Sequence, residues 1–365
     1  MKILVNDHVI ENGPDAKFVF DLHQLPVEYT TDKTQAVDIN TTSDHAVDAQ
    51  LHVDVSWAFE YQYDQCKKLE KYLEKLPDNT VLLTVASALD QHPRVVHWDM
   101  CFCRTKAYYT QFPVREETQR MWWHDQKCFI SPDLRSADNK TKIYVAPCQT
   151  LNQGDIERKG WITPRQQLAD LLAAQFSNLG YLGNFNKDKS KFLYSQIDQM
   201  WIDDFDAGTL EQETRLPNYV IQDGTRSWGY NPPHNAYYTN TFISMYGESV
   251  EYGNEFMVTE KTYDPLVKGH FILPVGICGF VERLKQKGIL FPDCIDYSYD
   301  SIHDDYKRID AWLTEVQRLC SIPLKQWKTY WDQNYELLYQ NKLWMYNTPY
   351  PQIDFNLLIQ KFGKS

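Results

Sequence analysis

The chain has 365 residues, which at roughly 150 residues per domain predicts about two domains. Hydrophobic residues make up 43% of it, a fraction that excludes global disorder. Its 49 acidic residues outweigh 37 lysines and arginines, and the net charge of −12 excludes general binding to duplex nucleic acid, which relies on many basic contacts to phosphate. This balance still allows a local basic pocket for one small anion.

The first half has the pattern of an α/β domain. Apolar runs predict strands at residues 2–5, 17–22, 52–59, 80–86 and 94–98. Apolar residues at helical spacing predict a helix over residues 65–76. Strands and helices of these lengths are typical of the βαβ units of a parallel sheet. A polar, turn-rich stretch at residues 125–140 predicts the join to the second half.

The second half repeats this scheme. Strands are predicted at residues 142–146, 241–245 and 271–275, and helices at 260–268 and 279–287. Thr163 and Pro164 are a threonine cap and a proline in the first helical position, so they predict a helix that continues to residue 179 and stops at Gly180. Residues 305–345 are predicted to be helical. We expect domains at residues 1–135 and 136–325, with C-terminal helices at 326–365 that pack back on the first domain.

Composition also predicts the cellular setting. No run of 18 apolar residues occurs, so no membrane span is expected. Acidic residues interrupt the apolar start of the chain, which predicts no signal segment and a cytoplasmic location. The eight cysteines are scattered, and in an intracellular chain this favours buried thiols over disulfides.

Glycine placement restricts where a nucleotide can bind. Only Gly13 of the 15 glycines precedes residue 154, and neither GxGxxG nor the P-loop pattern GxxxxGK[ST] occurs. A nucleotide site must therefore be built from other groups, and the second half is the better candidate.

The most informative segment is residues 242–276. An apolar strand leads to a polar loop, and Thr259 is then a good helix cap that leaves Glu260 and Lys261 in the first turn. Backbone N–H groups left free at a helix start, together with a lysine, can hold a diphosphate, and a glutamate can accept from two ribose hydroxyls. The alternative is a capped helix whose Glu and Lys side chains point into solvent.

This segment resembles the donor-binding motif of the alpha-1,3-fucosyltransferase family and its viral and phage relatives. The matching residues are Glu248, Thr259, Glu260, Lys261, Gly269, Pro274 and Gly276. The resemblance implies a GT-B type α/β fold, in which two Rossmann-like domains face each other across a cleft. It also implies that Lys261 contacts the donor diphosphate and Glu260 the ribose, and that Glu248 lies near the transferred sugar. The family's Glu-Asn-Ser turn lacks its asparagine here, so the identity of the sugar does not carry over.

Arg165 is a second, weaker match to the family. It opens the helix after Thr163, where the resemblance implies an arginine that clamps the donor phosphates. The planar guanidinium can donate two hydrogen bonds to one phosphate. The alternative is an ordinary surface arginine.

Two patterns bear on metal binding. Asp204 and Asp206 form a DxD pattern that could hold Mg²⁺ or Mn²⁺ against a diphosphate, but a solvated acidic loop is favoured and no metal cofactor is expected. A second group fits no standard zinc spacing and is interpreted as buried thiols and a satisfied histidine. Its members are His92, His97, Cys101 and Cys103.

A general base is expected in the first domain, on a loop that follows the carboxyl end of a parallel strand. Asp7, Glu60 and Asp90 satisfy this condition, and we rank Glu60 and Asp90 above Asp7.

The sequence therefore predicts a metal-independent, inverting glycosyltransferase that moves a sugar from a nucleotide-sugar donor to a hydroxyl of a carbohydrate acceptor. Two alternatives stay open. One is a metal-dependent transferase that uses Asp204 and Asp206. The other is a non-catalytic carbohydrate-binding protein that uses some of its 24 tyrosines, 17 phenylalanines and 11 tryptophans as sugar platforms.

Overall fold

A computed structural model describes the following parts of the chain: residues 3–7, 27–30, 51–56, 78–84, 92–99, 101–103, 105–106, 137–138, 140–148, 163–184, 238, 240–248, 256–351 and 353–363. The strands in these ranges are Ile3–Asp7 (β1), Val27–Thr30 (β2), Leu51–Ser56 (β3), Thr80–Thr84 (β4), Val95–His97 (β5), Tyr144–Cys148 (β6), Gly180–Asn184 (β7), Ile243–Gly247 (β8) and Phe271–Val275 (β9). The helices are Pro164–Gln175 (α1), Glu260–Val267 (α2), Phe280–Gln286 (α3), Asp305–Cys320 (α4), Leu324–Gln333 (α5), Tyr335–Asn347 (α6) and Phe355–Phe362 (α7).

The strands form two sheets, and every described strand pair is parallel. The first sheet has the order β2-β1-β3-β4-β5 and the second has the order β7-β6-β8-β9. The prediction of an α/β protein is confirmed. The second sheet repeats the order of the first four strands of the first sheet, which is the doubly wound order of open α/β sheets.

Most predicted strands are found within a few residues of their expected bounds. The strand at 271–275 has the predicted limits because it is buried along its whole length and therefore reads as an uninterrupted apolar run. Strands β2 and β7 were not expected from the sequence. The predicted strand at 17–22, the predicted helix at 65–76 and most of the join at 125–140 lie outside the described residues.

Gly180 does not have the role that the sequence predicts. Helix α1 ends at Gln175 with Phe176 as its cap residue, and Gly180 is the first residue of β7. A Cβ atom at this position would collide with the backbone carbonyl and ring of Tyr144 on β6. The glycine is therefore required by the close approach of two strands rather than by a helix end.

The helical C-terminal region contacts both sheets. Side chains of α4, α5 and α6 contribute to the core under the second sheet, including Trp312, Trp327 and Trp331. Helix α6 also packs against α2, and α7 lies against β3 and β4 of the first sheet. Within the described ranges, no helix has the length and apolar character that a membrane span requires.

A lysine is buried beside the amino ends of β8 and β9. The Lys140 amine donates to the carbonyl oxygens of Tyr238 at 3.1 Å and Thr241 at 2.5 Å, and lies 4.0 Å from the centre of the Trp331 ring. Burial lowers the pKa of Lys140 to about 7 from its ordinary value of 10.5. The folded protein therefore releases this proton at a lower pH than the unfolded chain does.

This difference predicts a pH-dependent stability. Between about pH 7 and pH 10.5 the unfolded chain holds the Lys140 proton and the folded protein does not, so the free energy of unfolding should rise with pH. Below that window both states are protonated and the contribution is constant. Urea unfolding across the window should show this rise in the parent and a flatter profile in Lys140→Met. An identical profile in the variant would contradict the prediction.

Candidate functional site

The topology of the second sheet marks one position for a ligand. From β6 the chain crosses to β7 on one side, and it later places β8 on the other side of β6. Open α/β sheets bind ligands outside the carboxyl ends of their strands at such a reversal, where neighbouring connections leave in opposite directions. In this sheet the position lies between the carboxyl ends of β6 and β8.

Arg165 lies at this position because α1 begins there. Thr163 caps the helix by accepting from the Gln166 backbone N–H at 3.2 Å, and Pro164 occupies the first helical position, as predicted. The Arg165 guanidinium reaches the end of β8, where Nε donates to the Gly247 carbonyl at 3.1 Å and Nη2 to the Glu248 carbonyl at 2.6 Å. This arginine therefore joins the start of α1 to the end of β8.

Glu248 joins the end of β8 to the start of α2. Its side chain is fully buried, and its carboxylate accepts from the Thr259 backbone N–H at 3.1 Å, the Thr259 hydroxyl at 2.5 Å and the Thr262 hydroxyl at 2.5 Å. The Tyr246 phenol donates to the Thr262 oxygen at 2.9 Å. Burial, reinforced by the Glu248 charge, raises the pKa of Tyr246, so its proton stays available for this bond.

The start of α2 carries Glu260 and Lys261. The predicted Thr259 cap is confirmed, since its hydroxyl accepts from the Lys261 backbone N–H. The Lys261 amine lies 3.1 Å from Glu260 Oε1 and 3.4 Å from the Thr259 hydroxyl. Its side chain is only 9% exposed, whereas that of Glu260 is 34% exposed. The lysine is therefore held at the protein surface rather than extended into solvent.

The sequence predicts free backbone N–H groups at this helix start, and for two residues that prediction is wrong. The Thr259 N–H donates to Glu248, and the Lys261 N–H donates to the Thr259 hydroxyl at 3.3 Å. The Glu248 carboxylate, which follows β8, thus accepts from the Thr259 N–H that the motif seemed to offer to a bound anion. Side-chain cations, not these N–H groups, would have to hold a negatively charged ligand.

The structure thus gathers the second-half site residues around the end of β8. Arg165 binds the Gly247 and Glu248 carbonyls, and the Glu248 carboxylate binds Thr259, whose neighbours are Glu260 and Lys261. Sequence reasoning missed Tyr246 and Thr262, which complete the buried network. The available signal for Thr262 was its spacing, since it follows the Thr259 cap by three residues and so lies on the same helix face.

The other predicted site residues belong to the first half of the chain and to the DxD pattern. Glu60, Asp90, Asp204 and Asp206 lie outside the described residues. The backbone of Asp7 ends β1, and the reversal point of the first sheet lies between β1 and β3. The chain reaches Glu60 four residues after β3 ends at Ser56.

The histidine–cysteine group shows no metal geometry. No cluster of three metal-binding side chains occurs among the residues for which the structure gives positions. Cys101 and Cys103 are buried free thiols, as predicted, and burial raises the pKa of Cys103 strongly. They lie on a helical turn after β5 rather than on an extended segment, and the His92 ring accepts from the Arg94 backbone N–H at 3.2 Å.

Comparison with known proteins finds a remote structural similarity. No family model matches the chain, and no curated protein matches it. Among solved structures, the chain is similar to an alpha1,3-fucosyltransferase determined with GDP-fucose, at 12% sequence identity and a TM-score of 0.46. The similarity covers 99% of this chain and 89% of that chain. At this identity the family of the chain has to be argued from its own residues.

The buried Glu248 network predicts a stability effect. Glu248→Gln turns one acceptor end into a donor facing the Thr259 hydroxyl, and should lower the free energy of unfolding by about 1–3 kcal/mol. Glu248→Ala should cost more, because it leaves two buried hydroxyls without this acceptor and also opens a cavity. Urea unfolding measures both effects, and equal stability of the parent and the two variants would contradict the role.

Proposed function

We propose that the chain is a glycosyltransferase of the GT-B type, related to viral and phage members of the alpha-1,3-fucosyltransferase family. In this proposal two Rossmann-like domains face each other across a cleft, and a sugar moves from a nucleotide-sugar donor to a hydroxyl of a carbohydrate acceptor. The observation that carries the proposal is that Glu248, at the end of β8 beside the reversal point of a parallel sheet, links two cations: Arg165 binds its carbonyl, and Lys261 lies beside the Thr259 hydroxyl that its carboxylate holds. Positive charge fixed at this point suits a diphosphate.

The donor-binding roles are proposed as follows. Lys261 and Arg165 hold the diphosphate, and Glu260 accepts from the ribose hydroxyls. A diphosphate would compete with the Glu260 carboxylate for the Lys261 amine, 3.1 Å away, and so release the carboxylate for the ribose. Thr259 and Glu248 support the site, since the buried Glu248 carboxylate holds the helix start in place and has no exposed surface with which to contact a sugar.

The proposed reaction is a direct displacement with inversion. A base takes the proton of the acceptor hydroxyl, the oxygen forms a bond to the anomeric carbon of the donor, and the nucleoside diphosphate leaves with the electron pair of the broken bond. Arg165 and Lys261 stabilise the charge that develops on the leaving diphosphate. With two fixed cations in this role, the proposal requires no metal ion.

The base is proposed to come from the first domain, because the donor lies on the second sheet. The reversal point of the first sheet lies between β1 and β3, and Glu60 follows β3 while Asp90 follows β4. Topology therefore favours Glu60 over Asp90. The free cysteines of the described chain fit a reducing compartment, so we propose that the enzyme works in the cytoplasm.

The donor site is tested first by binding. A panel of nucleotide sugars is screened by thermal shift, since a donor present at a hundred times its Kd should add about 2.7 kcal/mol of stability. Lys261→Ala should then weaken the Kd of that donor about 10–100-fold in calorimetry, because it removes one charge-assisted contact. Lys325→Ala, which removes an exposed lysine of α5, is the matched control. Unchanged affinity in Lys261→Ala would overturn the proposed site.

The base is tested by activity with binding intact. Glu60→Gln or Asp90→Asn should lower turnover by about 10²–10⁴-fold, the usual contribution of a general base. The donor Kd should stay close to that of the parent, because neither residue is proposed to contact the nucleotide. Normal turnover in both variants would exclude both residues from the role, and the base would then be sought at Asp7 or among the histidines.

A further inference from the structure

The segment that follows β5 connects the first sheet to the proposed donor site. Residues 98–99, 101–103 and 105–106, here called the junction, contact α2, the turn after α3 and the end of α6. All three elements belong to the part of the chain that carries the second sheet. The junction residues Trp98, Phe102 and Cys103 also share one buried hydrophobic cluster with side chains of α2.

Asp99 makes the polar contacts between the junction and α2 and the turn after α3. Its Oδ1 accepts from the Phe102 backbone N–H at 3.0 Å, and its Oδ2 accepts from the Tyr263 hydroxyl and from the Lys287 amine at 3.2 Å. Tyr263 lies on α2 and is fully buried. Burial, together with the Asp99 charge, raises the pKa of Tyr263, so the phenol stays protonated and donates to the carboxylate.

Aromatic packing fixes the same contact. The Phe102 ring meets the Tyr263 ring edge to face at 5.5 Å and the Trp344 ring at 5.5 Å. The Tyr263 and Trp344 rings stack at 6.4 Å and 15°. Trp344 Nε1 donates to the Lys287 carbonyl at 2.8 Å, so α2, α6 and the turn after α3 are tied to one another around Phe102.

Lys106 joins the junction to the end of α6. Its amine donates to the carbonyls of Met345 at 3.2 Å, Tyr346 at 2.5 Å and Thr348 at 2.6 Å. These carbonyls lie at the C-terminal end of α6, where a positive charge is favourable. Because α6 packs on α2, the junction contacts α2, the proposed donor helix, directly through Asp99 and indirectly through Lys106 and α6.

We infer that Asp99 and Tyr263 are positioning residues for the transfer reaction: their contact sets the distance between the first sheet, with its base, and the donor held at the start of α2. The inference rests on the proposed function. Tyr263 is two residues from Lys261 on the same helix, so the contact acts on the element that carries the diphosphate cation. Neither side chain has to contact a substrate for this role.

The expected signature is a loss of turnover without a loss of donor binding. Tyr263→Phe removes the hydroxyl that Asp99 accepts and leaves the ring in place. The kcat for transfer should fall about tenfold or more, because small misplacements of reacting groups are costly, while the donor Kd from calorimetry stays close to that of the parent. Asp99→Asn, which also loses the Lys287 ion pair, should act in the same direction. The double variant should be no worse than the more impaired single variant, because both substitutions disrupt the same Asp99–Tyr263 contact.

A tyrosine with no contact to the junction provides the control. The Tyr297 hydroxyl donates to the Ile272 carbonyl of β9 at 2.8 Å, within the second sheet. Tyr297→Phe also deletes one tyrosine hydroxyl, and its kcat should match that of the parent. Equal losses of kcat in Tyr297→Phe and Tyr263→Phe, or an unchanged kcat in Tyr263→Phe, would overturn the inference.

A second measurement separates this inference from the proposed function. Amide hydrogen exchange in α2 should speed up in Asp99→Asn, although the altered residue follows β5 of the first sheet. Unchanged exchange would overturn the inference whether or not the protein turns over a nucleotide sugar. If the parent binds no nucleotide sugar but Asp99→Asn still shows the faster exchange, the transferase proposal is refuted and the coupling between the first sheet and α2 stands.

Discussion

The buried carboxylate of Glu248 is the interaction on which the proposed site depends. Removing a carboxylate from water is costly, and the cost is offset here by three hydrogen bonds from Thr259 and Thr262. The backbone carbonyl of the same residue receives the Arg165 guanidinium. One residue therefore fixes the positions of both cations, since Arg165 is bonded to its main chain and Lys261 lies beside the threonine that its side chain holds.

This arrangement changes the meaning of the sequence motif. A threonine, a glutamate and a lysine at a helix start predict an anion site made largely of backbone N–H groups. Glu248 occupies the Thr259 N–H, and the threonine hydroxyl occupies the Lys261 N–H. The motif instead holds the Lys261 side chain, which is only 9% exposed, in a fixed position. A cation held in this way needs little ordering when it meets a phosphate.

The local sequence pattern was sufficient to predict an element where nearby residues alone determine it. The strand at β9 follows from its apolar run, and the start of α1 follows from its threonine and proline. The pattern was insufficient where a contact distant in the sequence determines the role of a residue. Position 180 in β7 has to be a glycine because Tyr144 of β6 lies too close for a side chain. Likewise, nothing near Asp99 in the sequence indicates that its partner is Tyr263, 164 positions away. The sequence singled out Arg165, Glu248 and the start of α2, but it indicated neither the burial of Glu248 nor its hydrogen bond to Thr262.

The surplus of aromatic residues bears on what kind of protein this is. A carbohydrate-binding protein would expose such rings as platforms, yet Trp98, Trp312, Trp327 and Trp331 are among the largest fully buried side chains of the described chain. In the described helices, Trp312, Trp327 and Trp331 fill the core under the second sheet, and Trp344 of α6 packs against Phe102 of the junction. Aromatic packing of this kind holds two sheets in a fixed relation, which a reaction between groups carried on different sheets requires. In the part of the chain described, the aromatic residues that suggested sugar binding thus have two packing roles: tryptophans fill the core under the second sheet, and Phe102, Tyr263 and Trp344 hold the proposed donor helix against the junction.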